Sequence, residues 1–292
     1  VLTVELPFHG VDVFTTTRFG GNPLAVVHEA DRLTDAQMLA IAREFNWSET
    51  TFVCRPLDPR HTARIRIFTP GGEVPFAGHP NIGTAFVLAS LPAHASATRF
   101  TFDEAAGPVA ITITRDGPRV AETRLTAPQP LATGPDADPA TIAEALSLPR
   151  ADIVTTLHPP RHASVGLPFL VVELASRTAL SRAMANPQSF PGPDAPTRMI
   201  WAYTRDLSPA DGAVDLTARM FAPFDGVPED PATGSATAAA CAMLARLTGQ
   251  SAFTVAQGVD MGRPSRLSVQ IDDAGTHLGG ACVPVMSGRI SL

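Results

Sequence analysis

Asp230-Pro231-Ala232-Thr233-Gly234-Ser235-Ala236 decides the reading of this chain, because His79-Pro80-Asn81-Ile82-Gly83-Thr84-Ala85 repeats its pattern about half the 292-residue chain earlier. Both stretches run polar-Pro-x-x-Gly-(Ser/Thr)-Ala. The similarity extends upstream: Arg66-Ile67-Phe68-Thr69-Pro70 precedes the first copy, Arg219-Met220-Phe221-Ala222-Pro223 precedes the second, and Val74-Pro75 and Val227-Pro228 lie between. Agreement at so many aligned positions, at half-chain spacing, is what duplication of a half-length unit leaves.

Each copy reads as a helix start. Proline is favoured at the first helical position, where its missing N–H would be unpaired anyway, so the pattern predicts His79 and Asp230 at the N-caps. Apolar helices then follow, Ile82 to Leu91 stopped by Pro92 and Ala236 to about Leu247 stopped by Gly249. If the two halves face each other, two helix N-termini with free N–H groups and positive dipole ends meet in one cleft. Such a cleft suits a small carboxylate substrate.

Composition narrows the function. Apolar residues make up 45% of the chain and charged residues 17%, enough for a sizeable core. The net charge is −6 with no basic run, which leaves nucleic acid or an anionic membrane without electrostatic support. No stretch approaches the ~18 uninterrupted apolar residues of a membrane span. There is also no basic-then-apolar leader pattern, so a cytoplasmic protein is the expectation. All 22 basic residues are arginine. Without lysine there is no pyridoxal-phosphate Schiff base, lysine imine or Walker-type phosphate loop. Cys54, Cys241 and Cys282 form no C-x-x-C pair. His158 and His162 flank two prolines that prevent a shared helical face, and no metal site is expected.

Read in order, Val1 to Phe14 alternates as a strand, Arg18 to Pro23 turns, and Leu24 to Val27 resumes a strand. Thr34-Asp35-Ala36-Gln37 is a capping box before a helix with Met38, Ile41, Ala42 and Phe45 on its apolar face. Further strands are predicted at 49–53, 64–68, 99–102, 109–114, 167–172, 199–203, 253–256 and 267–271, with short helices at 141–148 and 177–184. The Pro, Ala and Asp-rich stretch from Thr126 to Pro139 reads as the linker. This divides the chain into 1–127 and 128–292, with the last strands free to pack back on the first half. Many strands and one apolar helix per motif make an α+β protein, and the alanine-rich face Ala236 to Ala242 predicts a helix enclosed by sheet.

Glu49 is the best acid/base candidate, because a carboxyl opening an apolar, β-branched strand needs a partner or a task. The plainer alternative is a strand-end glutamate in solvent or paired with an arginine. His79 is a poorer cap than Ser, Thr, Asn or Asp, which argues for a chemical role. Asp230 serves equally as cap or as functional group, and Ser235 as a hydroxyl for substrate or as a small packing residue.

At these residues the chain resembles the PhzF-like family of phenazine-biosynthesis isomerases, related to diaminopimelate epimerase and proline racemase. The resemblance runs through Val11-Asp12-Val13-Phe14, Gly21-Asn22-Pro23-Leu24-Ala25-Val26, Ser48-Glu49-Thr50-Thr51-Phe52 and Pro75-Phe76-Ala77-Gly78-His79-Pro80. It continues in Gly166-Leu167-Pro168-Phe169, Glu229 to Ala236 and Gly262-Arg263-Pro264-Ser265. It implies two pseudo-symmetric halves, each a curved, mostly antiparallel sheet around a central helix, and cofactor-free proton transfer, often in a homodimer. It further implies Glu49 as the proton-shuttling carboxyl, with His79, Asp230 and Ser235 orienting substrate and assisting reprotonation. Asn22, Gly78, Thr233 and Gly234 are expected to bind substrate. The related racemases carry two cysteines at the helix starts; here His79 and Asp230 are expected at those places, so two-thiol racemisation should fail. The reaction expected is a double-bond shift in a small unsaturated carboxylic or amino acid of secondary metabolism. The alternatives are a cofactor-free hydrolase or lyase, and a non-catalytic small-acid binder.

Overall fold

A computed structural model describes residues 5–224 and 228–292. Residues 1–4, where the first predicted strand begins, and Val227 of the repeat lie outside the described residues. The chain forms two compact units: residues up to Pro128 together with Gly279–Leu292, and Gln129–Leu278.

In the first unit the elements are β1 (Glu5–Val13), β2 (Asn22–Val27), α1 (Asp35–Phe45), β3 (Glu49–Cys54), β4 (Ala63–Thr69) and β5 (Gly72–Val74). After them come α2 (Gly78–Ser90), β6 (Arg99–Glu104), β7 (Gly107–Asp116) and β8 (Arg119–Thr126). The pairing runs β1-β2-β3-β4-β6-β7-β8, parallel between β2 and β3 and between β4 and β6, antiparallel elsewhere. Thr34 caps α1 in the predicted box with Gln37.

In the second unit the elements are β9 (Ala132–Asp136), α3 (Pro139–Ala145), β10 (Ile153–Val154), β11 (Arg161–Ser164), β12 (Pro168–Leu174) and α4 (Arg177–Arg182). These are followed by β13 (Ile200–Thr204), β14 (Leu216–Phe221), β15 (Glu229–Asp230), α5 (Gly234–Thr248), β16 (Ala252–Gln257), β17 (Ser265–Asp272) and β18 (Gly275–Gly280), the last two residues of β18 falling in the first unit. Here β12 and β13 are parallel, as are β14 and β16, while β13–β14 and β16–β17 are antiparallel. The order β2-β3-β4-β6-β7 of the first unit thus recurs as β12-β13-β14-β16-β17. A last strand, β19 (Cys282–Ser291), pairs antiparallel with β1.

The stretch expected to be a linker is only partly so. Ala132–Asp136 pairs with β11, and a fully exposed strand of Ala, Thr, Gly, Pro and Asp carries no apolar alternation by which a sequence would reveal it.

Each unit encloses one helix. α2 is buried from Gly78 to Ala89 and packs on β1, β2, β3, β7 and β8. α5 is buried from Gly234 to Leu244 and packs on β11, β12, β16 and β17. Neither buried stretch carries a charge, as full enclosure demands. Small residues set the approach: a Cβ on Gly83 would stand 2.6 Å from Leu24 and 2.7 Å from Val13.

The helices correct the expected caps. The N-cap of α2 is Ala77, with His79 the second helical residue and Pro80 the third. Proline is tolerated there because the first four N–H groups of a helix lack intrahelical acceptors. The N-cap of α5 is Thr233, and Asp230 lies before it in β15, paired with Met220. Both ends fall where predicted, at Pro92 and at Gly249 in the left-handed conformation. In register, therefore, Gly78 matches Gly234 and His79 matches Ser235. The apparent match of His79 with Asp230 came from two prolines in different places, one inside a helix and one ahead of it.

The upstream arginines keep their correspondence. Arg66 on β4 forks onto Glu73 of β5 at 2.8 and 2.5 Å, and Arg219 on β14 forks onto Glu229 of β15 at 2.7 Å through both arms. Each guanidinium lies over the phenylalanine two residues on, Phe68 or Phe221. Arg219 also donates to the carbonyls of Leu180, Ser181 and Ala183 at 2.9, 3.1 and 2.8 Å, closing the end of α4.

Lysine in place of either arginine keeps the charge and loses the fork. We expect Arg219→Lys, which also strands three carbonyls, to cost about 3 kcal/mol in urea unfolding and Arg66→Lys about 1 kcal/mol. Equal costs would contradict the added role of Arg219.

Candidate functional site

In the first unit, Asn22 opens β2 after a turn in which Phe14, Phe19 and Gly21 adopt positive φ. Asp12 holds that turn by accepting the Phe19 N–H at 2.6 Å. The parallel register sets Leu24 opposite Glu49, placing Asn22 near the start of β3. Ser48 Oγ donates to Asn22 Oδ1 at 2.9 Å, which directs Asn22 Nδ2 to His79 Nδ1 at 3.4 Å. Glu49 Oε2 stands 3.5 Å from the same Nδ1. The first unit therefore brings Asn22, Ser48, Glu49 and His79 together.

Their environments differ. The Glu49 side chain keeps 18% of its surface accessible, that of His79 only 4%. Burial pulls the imidazole's pKa down to about 3, against an opposing hydrogen bond with the Pro23 backbone. The short distance to Glu49 alone would suggest an ion pair; the completeness of burial decides for a neutral ring at neutral pH. Its Nδ1 faces both Asn22 Nδ2 and Glu49 Oε2. Its Nε2 is buried with no hydrogen-bond partner among the described residues.

In the second unit, Asp230 is buried in β15 and its Oδ2 accepts from Thr233 Oγ1 at 2.6 Å. Gln257, wholly buried at the end of β16, bridges Asp230 and Thr233. Gly234 and Ser235 are the first residues of α5, as Gly78 and His79 are of α2. Gly258 follows with φ +73°, where a Cβ would meet the carbonyls of Arg263 and, at 2.6 Å, Pro231.

Sequence reasoning singles out neither Ser48 nor Gln257, which the structure bonds to candidate site residues. Ser48 is legible only through its bond to Asn22, and Gln257 only through its bonds to Asp230 and Thr233. Burial pushes the acid of Glu104 up to about 8, the Asn81 side chain opposing. Among the described residues no cluster of three or more His, Cys, Asp or Glu could hold a metal ion, and no helix is long and apolar enough to cross a membrane.

A buried neutral histidine weakens the fold in acid, because below pH 6.5 the unfolded chain takes a proton that folded His79 refuses. Stability from this group is full above pH 6.5 and falls towards its folded value of about 3. Relative to pH 8, we expect wild type to lose about 2 kcal/mol more than His79→Gln at pH 5. Glu104 acts in the opposite sense in both proteins and cancels from the difference. Parallel urea curves at the two pH values check this; equal losses would contradict a neutral, buried His79.

Comparison with known proteins agrees with this architecture. The family model for phenazine biosynthesis-like proteins matches residues 11–288. An uncharacterised isomerase of Mesorhizobium japonicum is 40% identical across 96% of this chain and 97% of its own. The trans-2,3-dihydro-3-hydroxyanthranilate isomerase of Pseudomonas fluorescens is 35% identical across 92% of this chain and 91% of its own. Among solved structures, the phenazine biosynthesis protein of the PhzF family from Bacillus anthracis superposes with a TM-score of 0.87, covering 98% of this chain and 99% of that one at 24% identity. The fold is the mixed α+β arrangement of the diaminopimelate epimerase-like proteins. On this sequence similarity, end to end, the chain belongs to the phenazine biosynthesis-like (PhzF) family of isomerases.

Proposed function

We propose that the protein is a cofactor-independent isomerase that moves a proton and a double bond within a small unsaturated carboxylic or amino acid. The observation that carries this reading is the Glu49–His79 pair: a partly accessible carboxyl 3.5 Å from a buried imidazole held neutral. Glu49 breaks a C–H bond activated by the neighbouring unsaturation and takes the proton. The electron pair moves into the conjugated system, the double bond shifts, and Glu49 returns the proton at the far carbon. Atoms and charge balance without a second reactant.

His79 steadies the carboxyl through Nδ1. Its Nε2, buried with no partner among the described residues at a usual cost of about 1–3 kcal/mol, supports a role beyond packing. In this reading Asp230 and Ser235 orient the substrate, and the backbone N–H groups at Gly78 and Gly234 favour its carboxylate and the delocalised anion. The relatedness to an isomerase of trans-2,3-dihydro-3-hydroxyanthranilate makes that compound, a small unsaturated amino acid, the first substrate to try.

On that compound, Glu49→Gln should lower kcat by about 10³-fold or more while KM changes little, since the amide keeps the shape and cannot take a proton. Product should appear at the mass of the substrate. Full activity in Glu49→Gln, or a cleaved product of lower mass, would overturn the reading.

A further inference from the structure

The hydrogen bonds around Gln257 have only one possible direction. Two groups that can only donate, the Trp201 indole Nε1–H and the Thr233 backbone N–H, point at Gln257 Oε1 at 3.4 and 3.2 Å. A flipped amide would set N–H against N–H there and its oxygen against the Asp230 carbonyl. The Nε2 end therefore faces Asp230 O at 2.8 Å and Thr233 Oγ1 at 3.0 Å and donates to both. All four hydrogen-bonding positions of a fully buried side chain are filled. Thr233 Oγ1, already accepting, has one proton to place, and its other neighbour is Asp230 Oδ2 at 2.6 Å.

We propose that Gln257 is a positioning residue: it polarises a one-way chain, Trp201 to Gln257 to Thr233 to Asp230, that fixes Asp230 as a hydrogen-bond acceptor in a set orientation. The functional weight of the chain rests on the reading that Asp230 takes part in the reaction; the chain itself does not. Thr233 then serves Asp230, and its hydroxyl proton is not available to a substrate. The ring of Tyr203, 5.5 Å from that of Trp201, backs the start of the chain. Tyr203 is itself held between His158 Nε2 at 2.8 Å and Glu173 Oε2 at 3.1 Å, and Glu173 takes Arg205. The charged groups beside Asp230 on β14 and β15 are Arg219 and Glu229, which pair with each other at 2.7 Å.

The test uses protein labelled with 13C at aspartate carboxyls, the Asp230 signal being identified by its loss in Asp230→Asn. Thr233→Val keeps the shape and removes the last link, so Asp230 should titrate at higher pH by about half a unit or more. Thr233→Ser restores the hydroxyl and should titrate like wild type. Gln257→Met should shift Asp230 in the same direction as Thr233→Val; the threonine pair decides the matter if that variant does not fold. An Asp230 titration unmoved in Thr233→Val, or moved equally in Thr233→Ser, would overturn the chain. Turnover of trans-2,3-dihydro-3-hydroxyanthranilate separates the two levels. Unimpaired kcat in Asp230→Asn would remove the functional role of Asp230 while leaving the titration result to judge the chain.

Discussion

A helix enclosed on every side by sheet can show no polar face, and that constraint shapes each unit of this protein. Side chains along α2 and α5 must be small or apolar, and at Gly83 a single methyl group would already crowd Leu24 and Val13. Around α2, Thr84 meets Thr51 at 2.9 Å and Thr123 of β8 bonds the Ile82 carbonyl at 2.9 Å. Polar chemistry is thereby displaced to the first turn, where unpaired N–H groups already favour negative charge. His79 and Ser235 occupy the same place in their respective helices, which gives a duplicated scaffold two non-identical polar tips.

The forked Arg66–Glu73 and Arg219–Glu229 pairs hold the short strands that lead into these helices. The fork recurs in both units, down to the aromatic ring beneath each guanidinium. The candidate site positions diverge around them. The first unit supplies a carboxyl beside a neutral ring; the second supplies a carboxyl that accepts from a threonine hydroxyl, which in turn accepts from a glutamine. Burial sets the state of the histidine: at 4% exposure the cost of desolvating an imidazolium exceeds what one partly exposed carboxylate 3.5 Å away returns.

Much of this was legible in the residues. The run without charge after each motif, the stops at Pro92 and Gly249 and the Thr34 capping box report local chemistry, and each stands where that chemistry puts it. Glu49 stood out because a carboxylate is out of place among Thr, Phe and Val. Two things were hidden. Proline marks a helix start only to within a few residues, so Pro80 and Pro231 looked equivalent although one is inside its helix and the other three residues ahead. Contacts between distant positions, such as Ser48 to Asn22 or Trp201 to Gln257, leave no periodic trace, and neither does an exposed strand such as β9.

The central claim is that one carboxyl, Glu49, both removes and returns the proton. Its most direct measurement is isotope transfer in a single turnover of trans-2,3-dihydro-3-hydroxyanthranilate carrying deuterium at the donor carbon, run in ordinary water. The account predicts that a measurable fraction of product molecules carry the deuterium at the accepting carbon. Complete loss of the label to solvent in every turnover would contradict it.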